Sequence, residues 1–429
     1  MRNAVLEHVL ANCRTADWIG SQHLPLPVTI RLLHDTANGS RCAAWPIQKL
    51  SVFVSDWLRR IPYSILIPCM LISVLGLCGI HRADQLYGPS AAFDRQLVWL
   101  MLAWPSMLMV TSISYRPLRH LSPWLYVLSL VLLVLVLFMP AINGSRRWIP
   151  LGVFDFQPSE PARLAFILAL AHYLMYRESQ RTIRGLIPPL VMTVFPLMLI
   201  LREPDLGTAM LFLPILYAML FAAGARVEHL LAAGAIGIML LPLLWGQMSA
   251  EQKSRVVMVF TQTDGGTAPP GDGFHLHQSK QVMSLGGIKG SLFSDDSNEL
   301  VIDDPTAYTL PAARTDFVLS LIGERYGVAG CGFLLIMYGV IVFKGLSVAR
   351  KTREPFGRLV AVGIVTMLAT QSLLNASMTV GLMPITGITL PMCSYGGSSL
   401  LSTCVSVGLL MNIAMRPGYE VAGNPVFDC

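Results

Sequence analysis

Ten apolar stretches, most of them close to a bilayer's width in helical length, set what this chain can become. They lie at 61–80, 97–113, 121–140, 161–176, 186–201, 208–224, 229–246, 316–343, 358–378 and 396–414. An α-helix rises about 1.5 Å per residue, so about twenty apolar residues cross the hydrocarbon. In lipid every backbone N–H and C=O must find a partner within the protein, which makes helices the solution for stretches of this length. Charge is scarce to match: 13% of the 429 residues are charged and 54% are hydrophobic, whereas soluble domains carry about 25% charge. The predicted fold is all-α, a polytopic membrane protein of about ten transmembrane helices with one long extracytoplasmic loop at 247–315.

Loop charge sets the orientation. Arg59 and Arg60, Arg116 and Arg119, Arg177, Arg181 and Arg184, Arg226, the loop from Lys344 to Arg358, and Arg416 all fall on one side of that layout. Basic short loops mark the cytoplasmic face, so both termini are expected on the cytoplasmic side. The net charge of +6 is explained by this asymmetry and calls for no nucleic-acid surface. Residues 56–419 form the membrane domain, 1–55 and 420–429 cytoplasmic tails. Glu7 and His8 break the first apolar run, which excludes a signal-peptide core there. Phe53, Val54, Trp57 and Leu58 fall at helical spacing and predict an interfacial helix near 47–58. The eight cysteines include no Cys-x-x-Cys pair, and neither a disulfide framework nor a thiolate metal site is expected.

Ionisable residues near membrane depth are costly, so they default to functional hypotheses. Glu160 and Arg163 stand three apart at a helix start, a spacing for an ion pair, beside Arg146, Arg147 and Trp148. Asn143-Gly144-Ser145 matches a glycosylation acceptor only by chance. Arg202-Glu203-Pro204-Asp205 interrupts two apolar runs, either as a self-neutralising hairpin tip or as backbone lining a cavity. His275 and His277 could share a metal only from a strand or an irregular loop, with Asp295, Asp296, Asp303 or Asp304 as further ligands. Lys280 near Gly286, Gly287 and Gly290 suits a phosphate better. Thr315 or Asp316 reads either as the N-cap of a long apolar helix or, for Asp316, as a general base at the membrane surface. Small residues at Gly396-Gly397-Ser398-Ser399 suit close helix packing or contact with a sugar headgroup.

These segments, in this order, resemble the SEDS family, the shape, elongation, division and sporulation proteins typified by RodA and FtsW. The resemblance runs through Arg147–Glu160, Pro204–Thr208, Gln278–Lys280 with the following glycines, Thr315–Phe317 with Glu324 and Gly327, and Met383–Ser399. It covers about 55–419. Departures are Ala312 where the family has Glu, Arg325 where it has a second Glu, Arg163 in place of Lys, and Gln281–Leu285 in place of a small apolar stretch.

The resemblance implies a ten-span peptidoglycan glycosyltransferase that polymerises lipid II into β-1,4 glycan and releases undecaprenyl diphosphate, in cell-wall elongation and cell shape. It makes Asp316 the catalytic base and Arg147, Glu160, Arg163, Arg202, Gln278, Ser279, Lys280 and Ser398 substrate-site residues. Arg147, Arg202 and Lys280 would surround the diphosphates, while Glu160 and Arg163 hold the cavity wall. A class B penicillin-binding protein is the implied partner. No cofactor is assigned, and dependence on a divalent cation, magnesium or manganese, stays open. A lipid II flippase and a non-catalytic scaffold for a partner synthase are the alternatives. The wording of the Leu206-Gly207-Thr208 and Gln157–Glu160 motifs favours the elongation branch.

Overall fold

The computed structural model describes residues 57–140, 145–152, 154–177, 181–262, 272–293 and 310–418. The predicted interfacial helix near 47–58 and the acidic residues at 295–304 lie essentially outside them. Twelve helices are numbered here, starting with α1 Tyr63–Tyr87, α2 Ala92–Ser112, α3 Arg116–Val136 and α4 Ser159–Leu174. There follow α5 Ile183–Arg202, α6 Leu206–Ala222, α7 Val227–Gln247, α8 Ala250–Phe260, α9 Asp272–Leu285, α10 Val318–Lys351, α11 Pro355–Thr379 and α12 Gly397–Met415. All ten apolar stretches are helices. Of these, α1, α3, α5, α10, α11 and α12 are long and apolar enough to cross a membrane, while α6 and the 227–243 part of α7 are shorter apolar helices. The protein is a multi-pass membrane protein.

Two helices arise where the sequence reading placed only loop. α8 starts at a capping box, with Ser249 Oγ accepting from Gln252 N and Gln252 Oε1 accepting from Ser249 N. α9 packs along α10. His275 and His277 therefore sit two apart on a helix, about 200° around its axis, and cannot converge on one ion. No group of three metal-ligating side chains occurs among the described residues.

α4, α6 and α11 pack on one another, and α11 also packs on α10. α4 is buried on nearly every face. α1 runs along α10, and α2 along α12. Lipid offers no hydrophobic drive between helices, so close backbone approach at small residues carries the packing. A Cβ on Gly76 would lie 2.2 Å from the Cys393 carbonyl oxygen, and one on Gly408 would lie 2.5 Å from that of Met107. Gly76→Ala should destabilise the protein by about 1–3 kcal/mol through overpacking, read as a lower thermal midpoint in detergent. An unchanged midpoint would show that α1 can move off the 393 loop.

Candidate functional site

The element that presents Asp316 is a turn, residues 310–317, immediately ahead of α10. Ala312 has φ of 54°, and its carbonyl accepts from Thr315 N at 3.1 Å and Asp316 N at 3.0 Å. Phe317, 1% exposed, plugs the turn into a core of Ala83, Val282, Leu310, Ala313 and Leu321. Three neighbours fasten it from outside. Arg314 Nε donates to Asp84 Oδ1 of α1 at 2.9 Å, and its Nη2 donates to the Gly88 carbonyl. Tyr395 N donates to the Arg314 carbonyl at 2.9 Å. From α11, Asn375 Nδ2 donates both to the Asp316 carbonyl at 2.8 Å and to the Ile388 carbonyl at 2.7 Å.

Phe317 occupies the N-cap position of α10, and no side chain caps it. The capping explanation for Thr315 and Asp316 is thereby overturned: the chain spends its left-handed residue at Ala312, and the turn's own hydrogen bonds replace a side-chain cap. The carboxyl is half-buried. Burial pushes its pKa up to about 6, with Asp205 pushing the same way and Thr315, Arg147 and Arg255 pulling it down.

Arg147 reaches the loop between α5 and α6. Its Nε donates to the Glu203 carbonyl at 2.9 Å and its Nη2 to the Pro204 carbonyl. Asp205 caps α6, accepting from Thr208 N at 3.0 Å and from Thr208 Oγ1 at 2.9 Å. The loop is thus not a self-neutralising tip. Arg202 is exposed and Glu203 buried, and the charge facing them comes from Arg147, far away in sequence.

Glu160 and Arg163 form a buried ion pair. Arg163 Nη1 donates to Gln371 Oε1 of α11 at 2.9 Å, and Gln371 Nε2 donates to the Thr389 carbonyl at 2.9 Å. This chain ties α4 to α11 and to the 381–396 segment from behind the Asp316 turn. Ser398 Oγ donates to the Asp155 carbonyl at 3.1 Å, holding a short hairpin, β1 Ile149–Pro150 against β2 Asp155–Phe156, on the start of α12. A Cβ on Gly397 would enter the Trp99 ring.

On α9, Ser279 is buried, its hydroxyl at 2.8 Å from Ser320 Oγ and donating to the Thr379 carbonyl at 2.9 Å. Gln278 is buried as well. Lys280 Nζ donates to Gln262 Oε1 at 2.5 Å, and Gln262 Nε2 donates to the Gly381 carbonyl. Two of the glycines after Lys280, Gly286 and Gly290, pack against α10 and so do not form an open phosphate cradle. A Cβ on Gly286 would lie 2.0 Å from the Gly323 carbonyl, and one on Gly290 would lie 2.5 Å from that of Arg325. They let the segment lie on α10 at its kink, where Gly327 has φ of 66°.

Of the sequence-predicted residues, Asp316 and Arg147 share one electrostatic neighbourhood. Glu160, Arg163 and Ser279 brace it from inside the bundle, where Gln278 is also buried. Ser398 braces the hairpin, Lys280 lies half-buried at the α8–α11 edge, and Arg202 is exposed and stands apart from the others. Sequence reasoning missed Arg82, Asn375, Gln371 and Arg255. Arg82 makes a two-pronged pair with Glu324, Nε to Oε2 at 2.8 Å and Nη2 to Oε1 at 2.5 Å. Arg82 and Asp84, at the foot of the first apolar run, were the available signal.

Residues 60–418 match the family described as cell cycle protein, FtsW, RodA and SpoVE. The probable peptidoglycan glycosyltransferase FtsW of Geobacter sulfurreducens is 32% identical over 84% of this chain and 96% of that protein. Stage V sporulation protein E of Bacillus subtilis is 32% identical over 82% of this chain and 96% of its own length. Among solved structures, a peptidoglycan synthase complex described as coordinating polymerization and crosslinking aligns with a TM-score of 0.70 and 29% identity, covering 83% of this chain and 98% of that one. The rod shape determining protein RodA of Thermus thermophilus aligns with a TM-score of 0.61 and 28% identity over 84% of this chain and 98% of that one. Division, sporulation and rod-shape proteins all appear, so these likenesses do not separate the branches. The chain belongs to the FtsW, RodA and SpoVE family of cell cycle proteins, the SEDS proteins that its motifs resemble.

Proposed function

We propose that this chain, a peptidoglycan glycosyltransferase by family, extends glycan strands from lipid II with Asp316 as general base. The observation that carries this reading is a half-buried carboxyl on a turn fastened from three sides, within electrostatic reach of Arg147 and Arg255. Asp316 takes the proton of the acceptor's GlcNAc 4-hydroxyl as that oxygen attacks the donor's anomeric carbon. The bond from that carbon to the diphosphate oxygen breaks with inversion, and undecaprenyl diphosphate leaves. A diphosphate departs without protonation, so one base and cations that absorb its charge are sufficient. Arg147 is the best-supported of those cations, Arg202 and Lys280 being further candidates. Magnesium or manganese would share the diphosphate charge as a companion of the substrate.

Loop charge supports cytoplasmic termini and an extracytoplasmic site in the inner membrane, with residues 56–419 as the catalytic domain and 1–55 and 420–429 as tails. The likeness to a complex that joins polymerization with crosslinking supports a class B penicillin-binding protein as partner.

The pH profile tests the base. Asp316 must be ionised to accept a proton, and its pKa is raised to about 6. Polymerisation by the purified protein from lipid II should therefore rise about tenfold per pH unit well below that value and level off above it. A rate independent of pH between 4.5 and 7 would remove Asp316 from the proton-transfer step.

A further inference from the structure

Glu203 lies between α5 and α6, and the reaction as described gives it no role. Its side chain is 0% exposed, and neither carboxyl oxygen has a hydrogen-bond partner among the described residues. An ionised carboxylate left in that condition is strongly disfavoured. Arg147, the cation acting on it, spends its Nε and Nη2 on the backbone carbonyls of Glu203 and Pro204. Asp205, the other charged group acting on it, is committed to capping α6 and repels a second negative charge. Burial first, then Asp205, push the Glu203 pKa from 4.5 up to about 9, against the pull of Arg147. Glutamine would fill the same volume without that penalty.

The charge balance gives the carboxyl a meaning. With Glu203 neutral, Arg147 faces Asp205 and the ionised Asp316, on which Arg255 also acts, so two carboxylates meet two guanidiniums. With Glu203 ionised a third carboxylate would join them, and the cluster would turn net negative. An incoming diphosphate would then meet repulsion. We propose that Glu203 is held as a neutral acid so that Arg147 keeps its positive charge for an anionic lipid headgroup, which makes Glu203 a charge-setting, positioning residue of the site. The proposal rests on the reading that Arg147 meets the diphosphate. Asp316 feels the same Arg147 and Asp205, so the protonation of Glu203 also bears on the base.

The test compares the full-length wild type with Glu203→Gln and Glu203→Met, two permanently neutral variants, by thermal midpoint and by KM for lipid II across pH. The folded-state pKa lies above the unfolded one, so wild-type stability falls as pH rises from about 4.5 and stops falling above about 9. The variants' midpoints should pull ahead of wild type across that window. Between pH 7.5 and 9.5 the wild-type KM should rise about tenfold, and that of the variants less than about twofold. Folded variants whose KM climbs as the wild type's does would overturn the proposal, as would midpoints below wild type at pH 8. Arg147→Gln separates the two levels. If it leaves KM unchanged, the diphosphate reading falls and takes the proposal with it; if it raises KM while the Glu203 variants titrate like wild type, only the proposal falls.

Discussion

Replacing Asp316 by Asn should lower polymerisation from lipid II by at least about a hundredfold, the usual scale of a positioned general base, with no loss of folded protein. The second half follows from how the turn is held. Asn375 grips the backbone carbonyl of residue 316, Tyr395 that of Arg314, and Phe317 supplies the core anchor. The carboxyl caps nothing. Asn also removes the charge whose burial pushes the Asp316 pKa up to about 6, so the thermal midpoint at pH 7.5 should match or exceed wild type. An unfolded variant would say nothing about catalysis, which is why the midpoint must be measured beside glycan-strand formation by the purified protein. Wild-type strand synthesis by a folded Asp316→Asn protein would end the assignment of the base.

Hydropathy made the ten apolar helices legible because lipid leaves a chain few alternatives. Their ends were less so. The first apolar run ends at 80, yet α1 continues to Tyr87, because Arg82 and Asp84 are not loop charges. They pair with Glu324 and Arg314 of the distant Asp316 turn and α10. Over α9 the sequence predicts only loop, since it mixes glycine, histidine and serine without an apolar stripe. Its helix is fixed by packing on α10, through Ser279 against Ser320 and Gly286 against the Gly323 carbonyl. The same limit governed the site. Asp316 and Arg147 stand in motifs, whereas Asn375 and Gln371 look like ordinary polar residues of an apolar helix until their partners are known. In sequence Glu203 balances its neighbour Arg202, and only the fold shows that Arg147 is its counterpart.

The Glu160–Arg163 pair should be the costliest place to leave half a contact. Both side chains are buried, and Arg163 also holds Gln371 Oε1 at 2.9 Å, while Ser402 Oγ donates to the Glu160 carbonyl at 3.1 Å. Arg163→Ala would strand the Glu160 carboxylate in a buried site, and removing one partner of a buried pair typically costs about 3–5 kcal/mol. The expected outcome is a large fall in thermal midpoint and in folded yield, with polymerisation reduced in step, since Gln371 would also lose a bond that fixes its grip on Thr389. Arg163→Lys should fall between, because an ammonium can still meet Glu160 but lacks the planar fork that serves two partners at once. Glu160→Gln with Arg163→Met removes both charges, and the double variant should recover much of the stability lost by Arg163→Ala. If the double variant folds well yet polymerises poorly, the pair shapes the reaction itself. If Arg163→Ala alone keeps the wild-type midpoint, the ion pair does not hold α4 to α11, and the bracing of the Asp316 turn must come from elsewhere.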